Sequence, residues 1–515
     1  MKANFLENRE YLLVPWLVLV LYLALPSRYV MYDSIRFAQA IETGDLRTYP
    51  FWHPSHLLYE PIMYGFYYVT QKIGLSLNVF QLSTVQGILS TSLLVYVAST
   101  LLVMHGIPSR WAALALSMWV GSYVVWHCTT LPDLSRNLLA ILMLISALFV
   151  IAWDRADFKK AWPFLAGLLI GLAGLFHTMA VFATPSLCFF LWKHSQKANR
   201  LYAMMTALLV SAATVLSFYI SAIIYLGEIR DIPGFLRWFS APGGGEWWQS
   251  GLIRAVLDFV LTSIRALLGT VTYEPLKRTL FSAGTVHGEV LLLGLLSGAI
   301  LVYWGFVIGS EIIRPTKPLT VFGQAMCIWF ISYLPFAVFF DKWDVRVLLY
   351  LSIPIPFLAA ECAGRRNLRR HQIAALMTAM LLLGINASTV MREESKPETQ
   401  RAYRLLASMN ALSQDGGDLF LVSMGTDALY AQYFGNRKAL PLRGAKTDFS
   451  MARMEISNTR KKGKRIYVET ELLDMIRKGK HPHHGVLIEL IGLHPYSIRD
   501  PEDRGFQLIN TSSAG

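Results

Sequence analysis

The chain has 515 residues, of which 54% are hydrophobic and 16% charged, with a formal net charge of +13. That balance excludes an ordinary soluble protein and reads as an α-helical polytopic membrane protein. The Lys and Arg lie mostly in short segments between apolar runs, where membrane orientation accounts for them, so no nucleic-acid partner is expected.

A bilayer span needs roughly 20 apolar residues at about 1.5 Å each. In chain order such runs occupy 12–30, 79–104, 111–127, 134–153, 202–226, 290–309, 319–340, 345–363 and 372–391. No small-residue cleavage signature follows 12–30, which therefore reads as a retained helix rather than a signal peptide. The run 162–192 is too long for one span and short for two, and reads as a hairpin of two short helices turning near His177. With that hairpin, Arg155, Lys159, Lys160, Lys193, Lys197, Arg200, Arg314, Lys317 and the Arg-rich 364–371 all fall on the side of the N-terminus. The positive-inside rule then predicts an inside N-terminus, about 11 spans and an outside C-terminal domain. The segment 251–269 is not counted as a span. Its Arg254, Asp258 and Arg265 recur at helical spacing opposite Leu252, Val256, Phe259 and Val260, the pattern of an amphipathic helix lying in the interface.

Two long outer loops follow, 31–78 and 227–288. The first holds a short helix at 38–44, then His53-Pro54-Ser55-His56-Leu57-Leu58-Tyr59-Glu60-Pro61 leading into an aromatic-rich helix at 62–72. The second carries a glycine hinge, Gly243-Gly244-Gly245, beside Trp247-Trp248. After Met391 the composition turns mixed and polar. Residues 1–391 are therefore the expected membrane domain, and 392–515 a small α/β domain with strands at 419–422, 466–468, 486–490 and 506–509 and helices at 401–411, 428–434 and 471–478.

Ionisable groups where membrane helices emerge are functional candidates by default. Asp33 leads them, although Asp is also a preferred cap for a helix starting at Ser34. His53, His56 and Glu60 share its loop, Asp133 opens the span 134–153, His177 tips the hairpin, and Lys342 and Arg346 begin the span 345–363. Asp133 after Pro132 equally suits a helix first turn, where an acid complements the macrodipole. Arg346 can snorkel or grip a phosphate with its planar fork. Cys128, Cys188, Cys327 and Cys362 show no paired spacing, and His481-Pro482-His483-His484 lacks metal-ligand spacing, so neither a disulfide framework nor a metal site is predicted.

Taken together, these segments resemble the GT-C superfamily of polyprenyl-phosphate-sugar-dependent glycosyltransferases, particularly the branch around protein O-mannosyltransferases and lipid A aminoarabinose transferases. The likeness rests on Tyr32-Asp33-Ser34 after the first span and on His53 to Tyr59, similar to that family's His-Pro-Pro-Leu-type segment. It continues through Pro132-Asp133, Leu165-Ala166-Gly167-Leu168-Leu169-Ile170-Gly171-Leu172-Ala173 and Asp344-Val345-Arg346-Val347-Leu348-Leu349-Tyr350, similar to an Arg-Tyr-Leu-Leu signature. Tyr430 to Arg437 looks like the family's soluble-domain pattern. The resemblance implies a GT-C fold, with Asp33 as the carboxylate that activates the acceptor and Arg346 on the donor phosphate. It makes His53, His56, Tyr59 and His177 substrate-binding candidates. Two positions depart from the pattern. Ser34 stands where many members carry a second acid, leaving Glu60, Asp133 or neither for that role, and Val347 replaces the signature tyrosine.

The expected activity is transfer of a sugar from a polyprenyl-phosphate donor to a protein, lipid or glycan acceptor outside the membrane, with inversion. No nucleotide fingerprint is present, and a divalent cation is compatible with the acids but not demanded by them. A bacterial inner membrane with a periplasmic active face is the leading location, and a eukaryotic reticulum membrane the other. The rival readings are a transporter or flippase, which favours broken helices, mid-membrane polar groups and a repeat, and a non-catalytic assembly protein that binds without turnover.

Overall fold

The computed structural model describes residues 10–45, 47, 51–153, 161–227, 229, 231–240, 251–269, 288–315, 317–340, 345–366, 368–413, 417–442, 449–478, 498–499 and 506–509. Arg155, Lys159, Lys160, Gly243 to Gly245, Trp247, Trp248, Lys342, Asp344, His481 to His484 and the expected strand 486–490 lie outside the described residues. Two compact units emerge, Met1–Ser27 with Ala40–Glu393, and Arg28–Gln39 with Glu394–Gly515.

The first unit is helical: α1 (Leu13–Ala24), most of α2 (Tyr32–Thr43) being shared with the second unit, α3 (Tyr59–Lys72), α4 (Val79–Met104), α5 (Ser109–Gly121), α6 (Tyr123–Thr130), α7 (Ser135–Ala152), α8 (Trp162–Phe176), α9 (Thr184–His194), α10 (Arg200–Leu226), α11 (Ile232–Ser240), α12 (Leu252–Leu267), α13 (Gly288–Ile313), α14 (Val321–Phe339), α15 (Val345–Ser352), α16 (Pro354–Arg366) and α17 (Arg369–Asn386). Seven helical stretches among the described residues are long and apolar enough to cross a membrane: Val79–Met104, Ser135–Ala152, Lys197–Leu226, Leu291–Ile313, Val321–Phe339, Arg346–Arg366 and Arg369–Glu394.

These seven correspond to seven of the eleven expected spans. The other four are shorter or broken. Pro26 disfavours helical backbone at Leu25, so α1 ends at Ala24. The expected 111–127 breaks at Ser122, whose backbone is extended. The 162–192 hairpin does form two short helices, α8 and α9, joined through a 3-10 turn after an extended His177. Burial grades from the interior of the bundle to its periphery: the apolar window of Arg346–Arg366 is 83% buried and that of Lys197–Leu226 only 11%. Leu209, Leu216, Ile220 and Ile224 on α10 are exposed, the apolar surface that lipid would cover.

Close approach fixes one glycine. A Cβ on Gly87 of α4 would stand 2.1 Å from the Thr129 carbonyl oxygen and 2.8 Å from Ser135 Cβ, so α4 can press on the α6–α7 turn only with glycine there. At the far ends of the helices the Arg-rich segment is tied down. Arg366 pairs with the buried Glu311 and Arg365 with the buried Glu361, which also accepts from the Thr320 amide at 2.7 Å.

In the second unit, the helices Arg401–Leu412, Gly425–Gly435, Phe449–Lys461 and Thr470–Arg477, here α18 to α21, flank a sheet of β1 (Leu419–Val422), β2 (Lys438–Pro441), β3 (Ile466–Glu469), β4 (Ile498–Arg499) and β5 (Phe506–Ile509). Its order is β2-β1-β3-β5-β4, with β2, β1 and β3 parallel and β5 antiparallel to β3. Leu419 and Leu421 pack with Ile466 and Val468 on one face against Ile456 and Leu472, while Phe420 stacks on Tyr467 on the other. Burial on both faces suits a parallel sheet. The strand Lys438–Pro441 and the helix Phe449–Lys461 were not among the expected elements; both lack a long apolar run.

Candidate functional site

A tight loop builds the first wall of the site. The Ser55 amide donates to His53 Nδ1 at 3.3 Å and the Ser55 hydroxyl stands 2.7 Å from the same nitrogen. An amide can only donate, so Nδ1 accepts and Nε2 carries the proton. The His53 and His56 rings stack at 4.2 Å. The loop is sewn to the α8 end of the hairpin: Thr178 donates its amide to the Ser55 carbonyl at 2.9 Å and Leu58 to the Leu175 carbonyl at 3.1 Å. From the other side the Tyr219 hydroxyl holds the Pro54 carbonyl at 2.6 Å.

The loop feeds directly into α3, whose first turn carries Tyr59 and Glu60, both buried. His56 Nδ1 meets the Glu60 carboxyl at 2.9 Å, with both side chains fully enclosed. Burial moves the two in opposite directions, Glu60 well above the ordinary carboxyl range and His56 well below the ordinary imidazole value. Burial thus works against the charged form of both partners, and so against an ion pair at this contact. Burial likewise lowers His53 to about 3, and pushes Tyr59 up to about 12. The Tyr59 hydroxyl donates to the Pro132 carbonyl at 2.7 Å and stands 2.9 Å from Ser135 Oγ.

Those last contacts bind α3 to the turn that precedes α7. Pro132 and Asp133 lie in that turn rather than inside a helix, and Asp133 is buried. Just beyond, Ser135, Arg136 and Asn137 form the first turn of α7, all buried. Arg136 is the residue that sequence reading passed over. Its charge reaches His53, His56, Tyr59, Glu60, His177 and Tyr350, making it the electrostatic centre of the group, and Asp133 acts on Glu60 in the opposite sense. Its signal was in plain view: a cation one turn inside an otherwise apolar span, three residues after an acid.

The opposite wall comes from the hairpin tip and α15. His177 Nδ1 accepts from the Met179 amide at 3.2 Å, and its ring lies 6.1 Å from that of Tyr350. Tyr350 stacks on Tyr333 at 5.4 Å, and Tyr333 in turn bonds the Met179 carbonyl. The Tyr350 hydroxyl is buried with no hydrogen-bond partner among the described residues. Arg346 lies one turn before Tyr350 on α15, half-buried, and its charge reaches His177.

The first unit thus brings together His53, His56, Tyr59, Glu60, Asp133, His177 and Arg346 from four separated stretches, with Arg136 and Tyr350 added. Asp33 belongs to the second unit. It is exposed in the first turn of α2, which starts at Tyr32, so it is not the cap of a helix starting at Ser34. Lys342 is outside the described residues. Among the described residues no group of three or more His, Cys, Asp or Glu side chains is arranged to hold a metal ion.

The first unit also contains a cavity of about 690 Å3, lined by Trp119, Val260, Ile264, Trp304, Phe330 and Leu351 among others, almost all of it apolar. Leu348 and Leu351 of its wall belong to the helix that carries Arg346 and Tyr350.

Comparison with solved structures finds matches at low identity. The chain is similar to ArnT from Cupriavidus metallidurans in the apo state, with 10% identity, 97% of each chain covered and a TM-score of 0.49. It is also similar to the oligosaccharyltransferase of Archaeoglobus fulgidus in the apo form, with 12% identity over 90% of this chain and 70% of that one, TM-score 0.46. The Archaeoglobus fulgidus oligosaccharyltransferase AglB, in complex with an inhibitory peptide and a dolichol-phosphate, matches at 12% identity over 98% of this chain and 75% of that one, TM-score 0.47. No family model matches the chain, and no curated protein does.

Proposed function

We propose that this chain is an integral-membrane glycosyltransferase that moves a sugar from a polyprenyl-phosphate donor to an acceptor on the extracytoplasmic side, with inversion at the anomeric carbon. The observation that carries the reading is the buried Arg136, set among neutral histidines, the Tyr350 hydroxyl and Arg346. A permanent guanidinium in a water-poor pocket is a strong site for a phosphate, and its field is worth far more there than in water. The apolar cavity alongside suits an isoprenoid chain. An anionic headgroup joined to a long apolar tail is the ligand chemistry that such neighbours select.

In this mechanism Asp33 accepts the proton of the acceptor hydroxyl as its oxygen attacks the anomeric carbon. The bond from that carbon to the phosphate oxygen breaks, and polyprenyl phosphate leaves with the electron pair. Arg346 and Arg136 stabilise the charge that develops on the leaving phosphate, and Tyr350 donates a hydrogen bond to it. Asp133 serves as the second acid, because the Glu60 carboxyl is engaged by His56 and burial raises it above the ordinary carboxyl range. The N-terminus is cytoplasmic, and the site and the α/β domain lie on the periplasmic face of a bacterial inner membrane.

The test is equilibrium binding of polyprenyl phosphate to purified protein in lipid nanodiscs. Arg136→Gln should weaken binding by at least about 10-fold, the scale of a lost charge-assisted contact. Equal affinity for wild type and Arg136→Gln would remove the phosphate site from this cluster.

A further inference from the structure

The second unit contains a charged clasp built around Arg401. Strand β1 ends at Val422 and α19 starts at Gly425, while β3 ends at Glu469 and α21 starts at Thr470, so two parallel strands deliver two helix N-termini to the same end of the sheet. Arg401, the first residue of α18, spans that end. It donates to Ser423 Oγ at 2.7 Å, to Asp427 at 3.1 Å and to Glu471 at 2.6 Å, and pairs with Glu469. Glu469 reaches back to accept from the Ser423 amide at 2.6 Å. The strand-to-helix turn 423–427 is thereby fixed at both ends by one guanidinium and its carboxylates.

What rests on that turn is the segment carrying Asp33. A Cβ added to Gly425 would stand 3.3 Å from Tyr32 Cε2, so the Tyr32 ring sits directly on the turn between Ser423 and Asp427. The Arg36 guanidinium lies 5.7 Å over the same ring. Four residues earlier, the Arg28 amide donates to the Glu394 carbonyl at 2.8 Å, and the charge of Arg28 reaches Tyr430 of α19. The segment Arg28–Gln39, although more than 350 residues from this domain in sequence, is therefore part of its compact unit.

We propose that Arg401 is a positioning residue for Asp33: the clasp holds the 423–427 turn, the turn seats Tyr32, and Tyr32 sets the backbone of the neighbouring carboxylate. The inference rests on the catalytic role of Asp33 given above. Misplacing a reacting group by about 1 Å can cost about 100-fold in rate, so a clasp that itself touches no substrate would control turnover.

The experiment pairs hydrogen–deuterium exchange of the full-length protein in nanodiscs with steady-state kinetics on a polyprenyl-phosphate sugar. Three variants are compared: Arg401→Gln, Arg401→Lys, which keeps the charge but not the fork, and Gly425→Leu, which crowds the Tyr32 ring while leaving every side chain of the clasp in place. Arg401→Gln and Gly425→Leu should both speed amide exchange over 32–39, and lower kcat by about 10-fold or more with KM for the donor unchanged. Arg401→Lys should fall between them and wild type. Unchanged exchange over 32–39 in both strong variants overturns the proposal, as does wild-type kcat with that segment loosened. Absence of turnover in the wild type would sink the transferase reading, while the exchange arm would still decide whether Arg401 holds the segment.

Discussion

His56, in the loop before α3, and Glu60, in its first turn, meet at 2.9 Å with both side chains shut away from solvent, where burial disfavours the charged form of each. A protonated Glu60 is closely mimicked by glutamine. Glu60→Gln should therefore retain stability and turnover within a few-fold, whereas Glu60→Ala strands a buried imidazole nitrogen at a cost of about 1–3 kcal/mol. Asp133→Asn, by contrast, should lower kcat by about 100-fold or more. Chemical unfolding and steady-state kinetics on the three variants check this, and an inactive Glu60→Gln would make Glu60 the working carboxylate.

His53 gives the fold a pH dependence. Its folded value near 3 lies below the ordinary 6.5, so in the window between them the unfolded chain binds the proton first. The stability it contributes is complete above about pH 6.5 and is lost progressively as pH falls toward 3, with a limiting slope of about 1.4 kcal/mol per pH unit. Replacement by glutamine should flatten the profile of unfolding midpoint against pH between 6.5 and 4. An unchanged profile would place the titration elsewhere.

Tyr350 carries a buried hydroxyl with no partner among the described residues. Leaving such a group unsatisfied costs about 1–3 kcal/mol, so Tyr350→Phe should leave the unfolding midpoint unchanged or raise it. Donor affinity should fall by about 3-fold to 10-fold if the hydroxyl meets the phosphate. Loss of stability with unaltered affinity would make its role structural.

Gly87 sets the approach of α4 to the turn bearing Asp133. Gly87→Ala should destabilise the protein by about 1–3 kcal/mol through overpacking, because its Cβ would fall 2.1 Å from the Thr129 oxygen. Gly65→Ala, with nothing within 4 Å of its Cβ, is the control and should be neutral or stabilising in a thermal melt of both variants.

Much of the bundle was legible because its evidence is local. An unbroken apolar run gave α4 at its observed bounds, and His177 marked the turn of the hairpin. The breaks were not legible, because distant residues compensate for them. Where the chain parts at Ser122, Asn386 Nδ2 donates to the Gly121 carbonyl at 2.9 Å and to the Leu267 carbonyl at 2.8 Å, and its Oδ1 accepts from the Gly269 amide at 3.2 Å. One buried amide thus satisfies three backbone groups that an apolar surrounding could not. The break before Pro354 had a local cue in Pro354 and Pro356, which the strength of the surrounding apolar run concealed.

The site shows the same division. Its histidines, acids and Arg346 stood out as polar residues at the ends of apolar runs. Arg136 did not, because an apolar span absorbed it, and Tyr350 reads as one more aromatic core residue until its hydroxyl is followed. The place of Asp33 within the α/β unit depends on contacts between Tyr32 and Gly425, which no local pattern encodes.

The most direct measurement of the central claim is release of polyprenyl phosphate from a panel of labelled polyprenyl-phosphate sugars by the purified protein in lipid, wild type against Asp33→Asn. Release by wild type from at least one donor is expected, together with loss of release and retained donor binding in Asp33→Asn. Failure of the wild type to bind any donor, or equal release by Asp33→Asn, would contradict it.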